Sequence, residues 1–163
     1  MTADAATELT RGYGQVAVQP VHFDDLDPMG MVHNARYALL VERALATFWT
    51  HHGHSFRNGR PSTADAFNVV KEFRISYHVP IRGTTDVVVH FWLEYLGSSC
   101  GVYNFRLLSA DGTTVFAEGR RVVIKLDQET LRPSPWTRET RAVAEHLLHR
   151  PGRAQSRQKS LVN

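Results

Sequence analysis

The sequence has one cysteine, Cys100, in 163 residues. A single thiol excludes an internal disulfide and a zinc site built on several cysteines, and it fits a reducing, cytoplasmic setting. No stretch comes near the roughly 18 apolar residues of a membrane span. The opening MTADAATELT has no basic stretch ahead of an apolar run, so no secretory signal is visible. There is no internal repeat, and Gly12-Tyr13-Gly14 lacks the remainder of a dinucleotide-binding fingerprint. Charge of one sign is also scarce. The net of +3 comes from the last fourteen residues, which hold Arg150, Arg153, Arg157 and Lys159 and no acid; the rest carries 15 basic and 16 acidic residues. No aromatic side chain is interleaved there to stack on bases, so the tail reads as solvated chain and not as a nucleic-acid-binding arm.

What is present is 42% hydrophobic and 21% charged, a globular composition at a length suited to one domain. Residues 1–14 read as a flexible leader, 15–149 as the domain and 150–163 as a basic, disordered tail. Residues 15–23 read as a strand that Pro20 pushes to an edge. From Asn34 to Thr50 the apolar period becomes helical: Tyr37, Leu40, Val41, Ala44, Leu45, Phe48 and Trp49 form a stripe over three turns. Gly53 is its stop signal, and 53–66 has loop composition. Residues 67–80 alternate, with Phe67, Val69, Phe73, Ile75, Tyr77 and Val79 on one face, interrupted by Lys71. Val87, Val89, Phe91, Leu93 and Tyr95 alternate next. The turns GSSCG and Asp111-Gly112 introduce two further strands, 102–109 and 114–126. Four consecutive strands predict an antiparallel meander, and 137–148 a short helix with Thr137 as N-cap. The order predicts α+β architecture, a curved sheet wrapped around one long helix.

The chemistry concentrates in Asp24-Asp25-Leu26-Asp27-Pro28-Met29-Gly30-Met31-Val32-His33-Asn34. Three carboxylates crowd the approach to a helix N-terminus. Pro28 fixes the backbone after Asp27, and Gly30 allows a positive φ or a close ligand. A carboxylate facing the free N–H groups of a first helical turn is the minimum equipment for acyl transfer. The same acids would also serve as an ordinary turn that complements the helix dipole.

The run DPMGMVHNARYALLVERA resembles the signature of the hotdog-fold thioesterases, in the 4-hydroxybenzoyl-CoA thioesterase and YbgC-like branch. Asp27, Gly30, Val32, Tyr37, Glu42 and Arg43 match its positions, and the resemblance covers roughly residues 15–130. It implies a hotdog fold and hydrolysis of an acyl-CoA, with an acyl carrier protein as the alternative carrier. It also implies a homodimer or homotetramer with the cleft at a subunit interface. Asp27 matches the catalytic carboxylate, as nucleophile or as general base through water. Asn34 matches the backbone N–H that polarises the thioester carbonyl, and His33 a polar position close to the site. Met29, Gly30, Met31, Tyr37 and Glu42 fall where substrate is bound, although Met29 is larger than the residue usual there. No cofactor and no metal are implied, because CoA belongs to the substrate. Two other readings use the same fold: an enoyl-thioester hydratase or dehydratase, in which His33 works with Asp27, and a non-catalytic acyl-binding protein. Asp24 and Asp25 lie outside the matched motif and are expected to tolerate substitution.

Other motifs carry less. Residues 97–101 fit G-x-S-x-G with Ser99 as nucleophile, but the elbow needs a helix after the turn, and a strand is predicted there. Cys100 has no base beside it and reads as structural. His51, His52 and His54 suit a helix C-terminus better than a metal. Lys71, Arg74 and Arg82 are the basic residues considered for the CoA phosphates.

Overall fold

The computed structural model describes residues 8–10 and 12–149. Along the chain come β1 (Gln15–Pro20), α1 (Asn34–His51), β2 (Phe56–Arg57), β3 (Arg60–Pro61), β4 (Asn68–Tyr77), β5 (Asp86–Leu96), β6 (Cys100–Ser109), β7 (Val115–Lys125) and α2 (Arg138–Glu145). Helix α1 follows the expected stripe. Tyr37, Leu40, Val41, Ala44 and Leu45 are buried. At about 1.5–3 kcal/mol for each large apolar side chain buried, packing rather than intrinsic propensity holds this helix. His52 caps its end, and Gly53 turns the chain at φ +89°.

The stripe is covered by one five-stranded antiparallel sheet, ordered β1-β5-β6-β7-β4. Phe91, Leu93, Phe105, Leu107 and Ala117 from the sheet join the helix in one core. This is the hotdog arrangement that the resemblance implies. One expectation fails. The last four strands are not a meander: β5, β6 and β7 are, but β4 lies beyond β7 at the far edge. The 78–85 connection is bound instead to the segments before α1. Val21 N–H donates to Thr85 O (2.8 Å), Val32 N–H to Ile81 O (2.9 Å) and Gly83 N–H to Gly30 O (2.9 Å). β1 is the other edge, as expected, but it ends at Pro20 and not at Phe23; Phe23 is 85% exposed in a 3₁₀ turn.

Two bulges correct the strand faces. The ladder between β4 and β7 skips from Val70 to Glu72, leaving Lys71 unpaired, so the inward phase changes there. Val70 faces the core side before the bulge, and Phe73 and Ile75 after it; Val69 is therefore on the outer face. A second shift between Leu93 and Tyr95 carries Tyr95 out of phase, half exposed. The loop expected over 53–66 contains the hairpin β2–β3, turned by Asn58 and Gly59, both at positive φ. Tyr13 and Gly14, assigned to a flexible leader, are packed. Tyr13 stacks on His149 at 3.6 Å and meets Trp92 edge-on at 5.2 Å. A Cβ on Gly14 would lie 2.5 Å from Phe91 O. The expected basic tail lies outside the described residues.

Asp65 fastens α2 to the sheet. It is 1% exposed, pairs with Lys125 Nζ at 2.9 Å, and accepts from Thr137 N–H at 3.1 Å and from the Thr137 hydroxyl. Burial opposes its ionisation, but the hydrogen bonds from Lys125 and Thr137 outweigh it and hold the carboxyl below its ordinary 3.8. Removing one partner of a buried pair costs about 3–5 kcal/mol, so Asp65→Ala should lose that much in urea unfolding. The folded pKa is depressed, so the wild-type contribution is complete above the unfolded value and lost as pH falls through the folded one. The difference between wild type and Asp65→Ala should therefore be constant near neutrality and shrink below about pH 4.

Candidate active site

The segment before α1 is a closed loop. Leu26 and Val32 bridge its ends, and Asp27 N–H donates to Met31 O at 2.7 Å. Asp27 Oδ1 accepts from Met29 N–H (2.8 Å) and Met31 N–H (3.1 Å), an arrangement typical of aspartate in turns. Gly30 closes the loop at φ +72°, a conformation that side chains with a Cβ resist. One carboxylate oxygen is thus spent on the loop. Oδ2 has no partner among the described residues, and Asp27 is half-buried.

His33 is the N-cap of α1. Its Nδ1 accepts from Ala35 N–H at 3.2 Å, which leaves the ring proton of the neutral form on Nε2. Its own N–H donates to Asp25 O at 2.9 Å. The N–H of Asn34, first in the helix, has no acceptor among the described residues. The loop thus carries a carboxylate with one uncommitted oxygen, and the helix that follows it starts with an uncommitted donor.

The other predicted site residues separate. Met29 (72% exposed) and Met31 flank Asp27 on the loop, and Arg82 bridges Met31. Tyr37 is buried and not open to a ligand. Its hydroxyl accepts from Ile81 N–H at 3.3 Å, its ring meets Tyr77 edge-on, and burial pushes its phenol up. Glu42 lies two turns further along α1. It borders a cavity of about 500 Å³ between the second half of α1, the sheet and α2. Arg74 pairs with Glu72 at 3.1 Å. Ser99 and Cys100 lie at the β5–β6 hairpin turn, where Gly97 N–H donates to Cys100 O and no helix follows. His51 and His52 bond carbonyls of their own helix, Thr47 O (2.7 Å) and Phe48 O (2.8 Å), and His54 bonds Thr140. No group of three metal-ligating side chains occurs among the described residues.

Sequence reasoning missed Asp25. It is 1% exposed and receives His22 N–H at 2.9 Å. Its carboxylate stands 3.8 Å from Arg36 Nε and 3.8 Å from Arg43 Nη1. Its carbonyl holds His33 and its side chain holds the first three turns of α1, so it sets the loop against the helix start. The i, i+11 and i+18 spacing of one acid and two arginines was the available signal.

The thioesterase superfamily model matches residues 29–116, a stretch that begins just after Asp27. The acyl-CoA thioester hydrolase YbgC from Escherichia coli is 25% identical over 113 residues, 69% of this chain and 82% of YbgC. A thioesterase from Thermus thermophilus, solved with coenzyme A and zinc, has a TM-score of 0.64 at 26% identity over 83% of this chain and 95% of its own. A 1,4-dihydroxy-2-naphthoyl-CoA thioesterase from Synechocystis has a TM-score of 0.71 at 14% identity over 82% and 97% respectively, a likeness of fold. No helix among the described residues is long and apolar enough to cross a membrane.

Asp24 and Asp25 should behave differently, contrary to their equal treatment by the sequence. Asp25→Ala leaves two arginines facing a buried gap, a loss of about 3 kcal/mol. Asp24, 74% exposed in its side chain, should be replaceable by Ala without change. Thermal unfolding of both variants decides; equal midpoints would refute the anchoring role.

Proposed function

The chain belongs to the thioesterase superfamily, and on that premise we propose that it hydrolyses acyl-CoA thioesters to the free acid and CoA. The observation that carries this reading is the loop around Asp27, which fixes one carboxylate oxygen and leaves the other without a partner among the described residues, seven residues before a helix whose first N–H is likewise uncommitted. The thioester carbonyl oxygen lies at the Asn34 N–H, where backbone donors stabilise the charge that develops on it. Asp27 Oδ2 takes a proton from water as the water oxygen bonds to the carbonyl carbon. The carbon–sulfur bond then breaks and sulfur leaves as thiolate, which needs little acid assistance. Asp27 as direct nucleophile uses the same geometry. His33 spends Nδ1 on the helix cap and keeps its proton on Nε2, so the hydratase alternative would use that Nε2–H as its acid. The single cysteine supports a cytoplasmic setting.

We place the working unit as a homodimer joined along β4. β4 is an unpaired edge of ten residues, and Val69, Val70, Tyr77 and Val79 are each 44–50% exposed along it and just beyond. A long apolar edge invites pairing, and Tyr77 lies against the helix start, donating to Asn34 O at 3.3 Å. A partner strand there would bring its own side chains to the site.

Asp27→Asn should keep the fold and lose about 10²–10⁴ in kcat, the usual worth of general-base assistance. Release of thiol from a panel of acyl-CoA esters is the measurement; undiminished turnover would remove Asp27 from the mechanism. Ser99→Ala and a metal chelator should each leave the rate within a few-fold, because the chemistry asks only for a carboxylate and backbone donors. Light scattering should give twice the chain mass, and a charge placed on the edge by Val69→Glu should lower mass and turnover together.

A further inference from the structure

The cavity beneath the second half of α1 has walls suited to a hydrocarbon chain. Leu45, Trp49, Val70, Leu93 and Val123 line it. Its volume of about 500 Å³ falls in the range of small-molecule sites. Its polar groups are out of balance. Arg121 enters from β7, opposite Tyr103 of β6 in the ladder, and is 8% exposed. A guanidinium carries five N–H donors. Here Nε has no hydrogen-bond partner among the described residues. The nearest anion is Glu42 Oε1 at 3.5 Å, on a side chain that is itself 60% exposed. The Tyr103 hydroxyl accepts from Trp49 Nε1 at 3.0 Å, so its proton remains to be donated, and burial pushes that phenol up. Trp136, also on the cavity wall, has no acceptor for its indole N–H among the described residues. The carboxylate of Asp65 is already taken by Lys125 and Thr137. The cavity therefore offers a buried cation and spare donors, and its acceptors at Thr50, Ser55 and Asn68 bear no charge.

Leaving a guanidinium N–H buried and unpaired is costly. The group that completes it best is a planar carboxylate, which matches the guanidinium fork with two parallel hydrogen bonds. We propose that this cavity receives an acyl chain whose far end carries a carboxylate bound by Arg121, so that the preferred substrates are half-thioesters of dicarboxylic acids. This rests on the thioesterase reading above. Glu42 then acts as a placeholder that the incoming carboxylate displaces toward solvent.

The test compares kcat/KM for adipyl-CoA and hexanoyl-CoA, equal in length and different only at the far end. Wild type should favour adipyl-CoA about tenfold or more, because a site built around a polar partner discriminates strongly against an analogue that lacks it. Arg121→Met should reduce the ratio toward one, and Arg121→Lys, which keeps the charge, should restore part of it. Glu42→Gln removes the competing anion and should raise the ratio. If Arg121 served only to hold Glu42, the Arg121→Met and Glu42→Gln variants would shift together. A wild-type ratio near one, or a matching fall in the Arg121→Met and Glu42→Gln variants, would overturn the proposal. Weaker inhibition of Arg121→Met by free CoA with an unchanged ratio would assign the arginine to the carrier's phosphates and overturn it too. If neither ester is cleaved, the dicarboxylic preference is lost, and thiol release from the wider panel tests the thioesterase reading separately. Calorimetry with adipate then decides for the cavity: binding by wild type and not by Arg121→Met upholds it, and no binding by wild type refutes it.

Discussion

The inner face of α1 cannot be left in water, and most of the molecule is an answer to that constraint. Leu40, Val41 and Ala44 have no exposure at all, and a single flat layer would cover only part of such a helix. The sheet must curve, and its bulges at Lys71 and between Leu93 and Tyr95 are where extra twist enters. Once the sheet curves around the helix, the two helix ends emerge at different places. The N-terminal end meets the loop of Asp27, tied down by the 78–85 connection. The C-terminal half roofs the cavity that Arg121 enters. The helix start and the helix residue that faces Arg121 are therefore held on one rigid element, about 12 Å apart from Asn34 to Glu42 at 1.5 Å per residue.

Residues whose partners are local in sequence were legible. The helix was readable within a residue because its apolar period is sustained for three turns, and so was the cap Thr137. Pro20 marked an edge correctly. Strand pairing was not legible, because β4 and β5 alternate alike whether they are neighbours or are separated by two strands. What separates them is a set of backbone bonds from 81–85 to residues 21, 30 and 32, which no propensity records. Lys71 was noticed as an interruption, yet an interruption in a period-2 pattern is itself the mark of a bulge. Asn58-Gly59 was a turn signal passed over within an apparently featureless loop.

The site divides along the same line. Asp27, His33 and Asn34 were readable as candidates because the loop, the cap and the first helical turn are contiguous. Tyr37 matched the motif, but its burial against Ile81 and Tyr77 makes it an anchor of the loop. Asp25 was undervalued because its worth comes from Arg36 and Arg43, one and three turns into the helix. Arg121 was missed although β7 advertised it: its inward phase reads Ala117, Gly119, Arg121, Val123, Lys125, and two basic residues on a buried face require anions.

The buried charges form a graded series that ties these parts together. Lys125 has Asp65 at 2.9 Å, with Thr137 completing the carboxylate; that cluster is closed and serves only to fasten α2. Asp25 has two arginines at 3.8 Å, close enough to neutralise it and loose enough that Asp25 Oδ1 and Arg43 Nη1 lack hydrogen bonds. Arg121 has a single carboxylate, Glu42 at 3.5 Å, on a side chain that is itself 60% exposed. Desolvation penalises each charge in proportion to its burial, so the series runs from a satisfied structural pair to a cation that the chain alone does not complete. Folding can tolerate that last deficit because the other two clusters secure the ends of the fold around it. A deficit beside an apolar cavity, on a strand packed under the helix, is where binding energy from a remote part of a ligand can be used to position the rest of it.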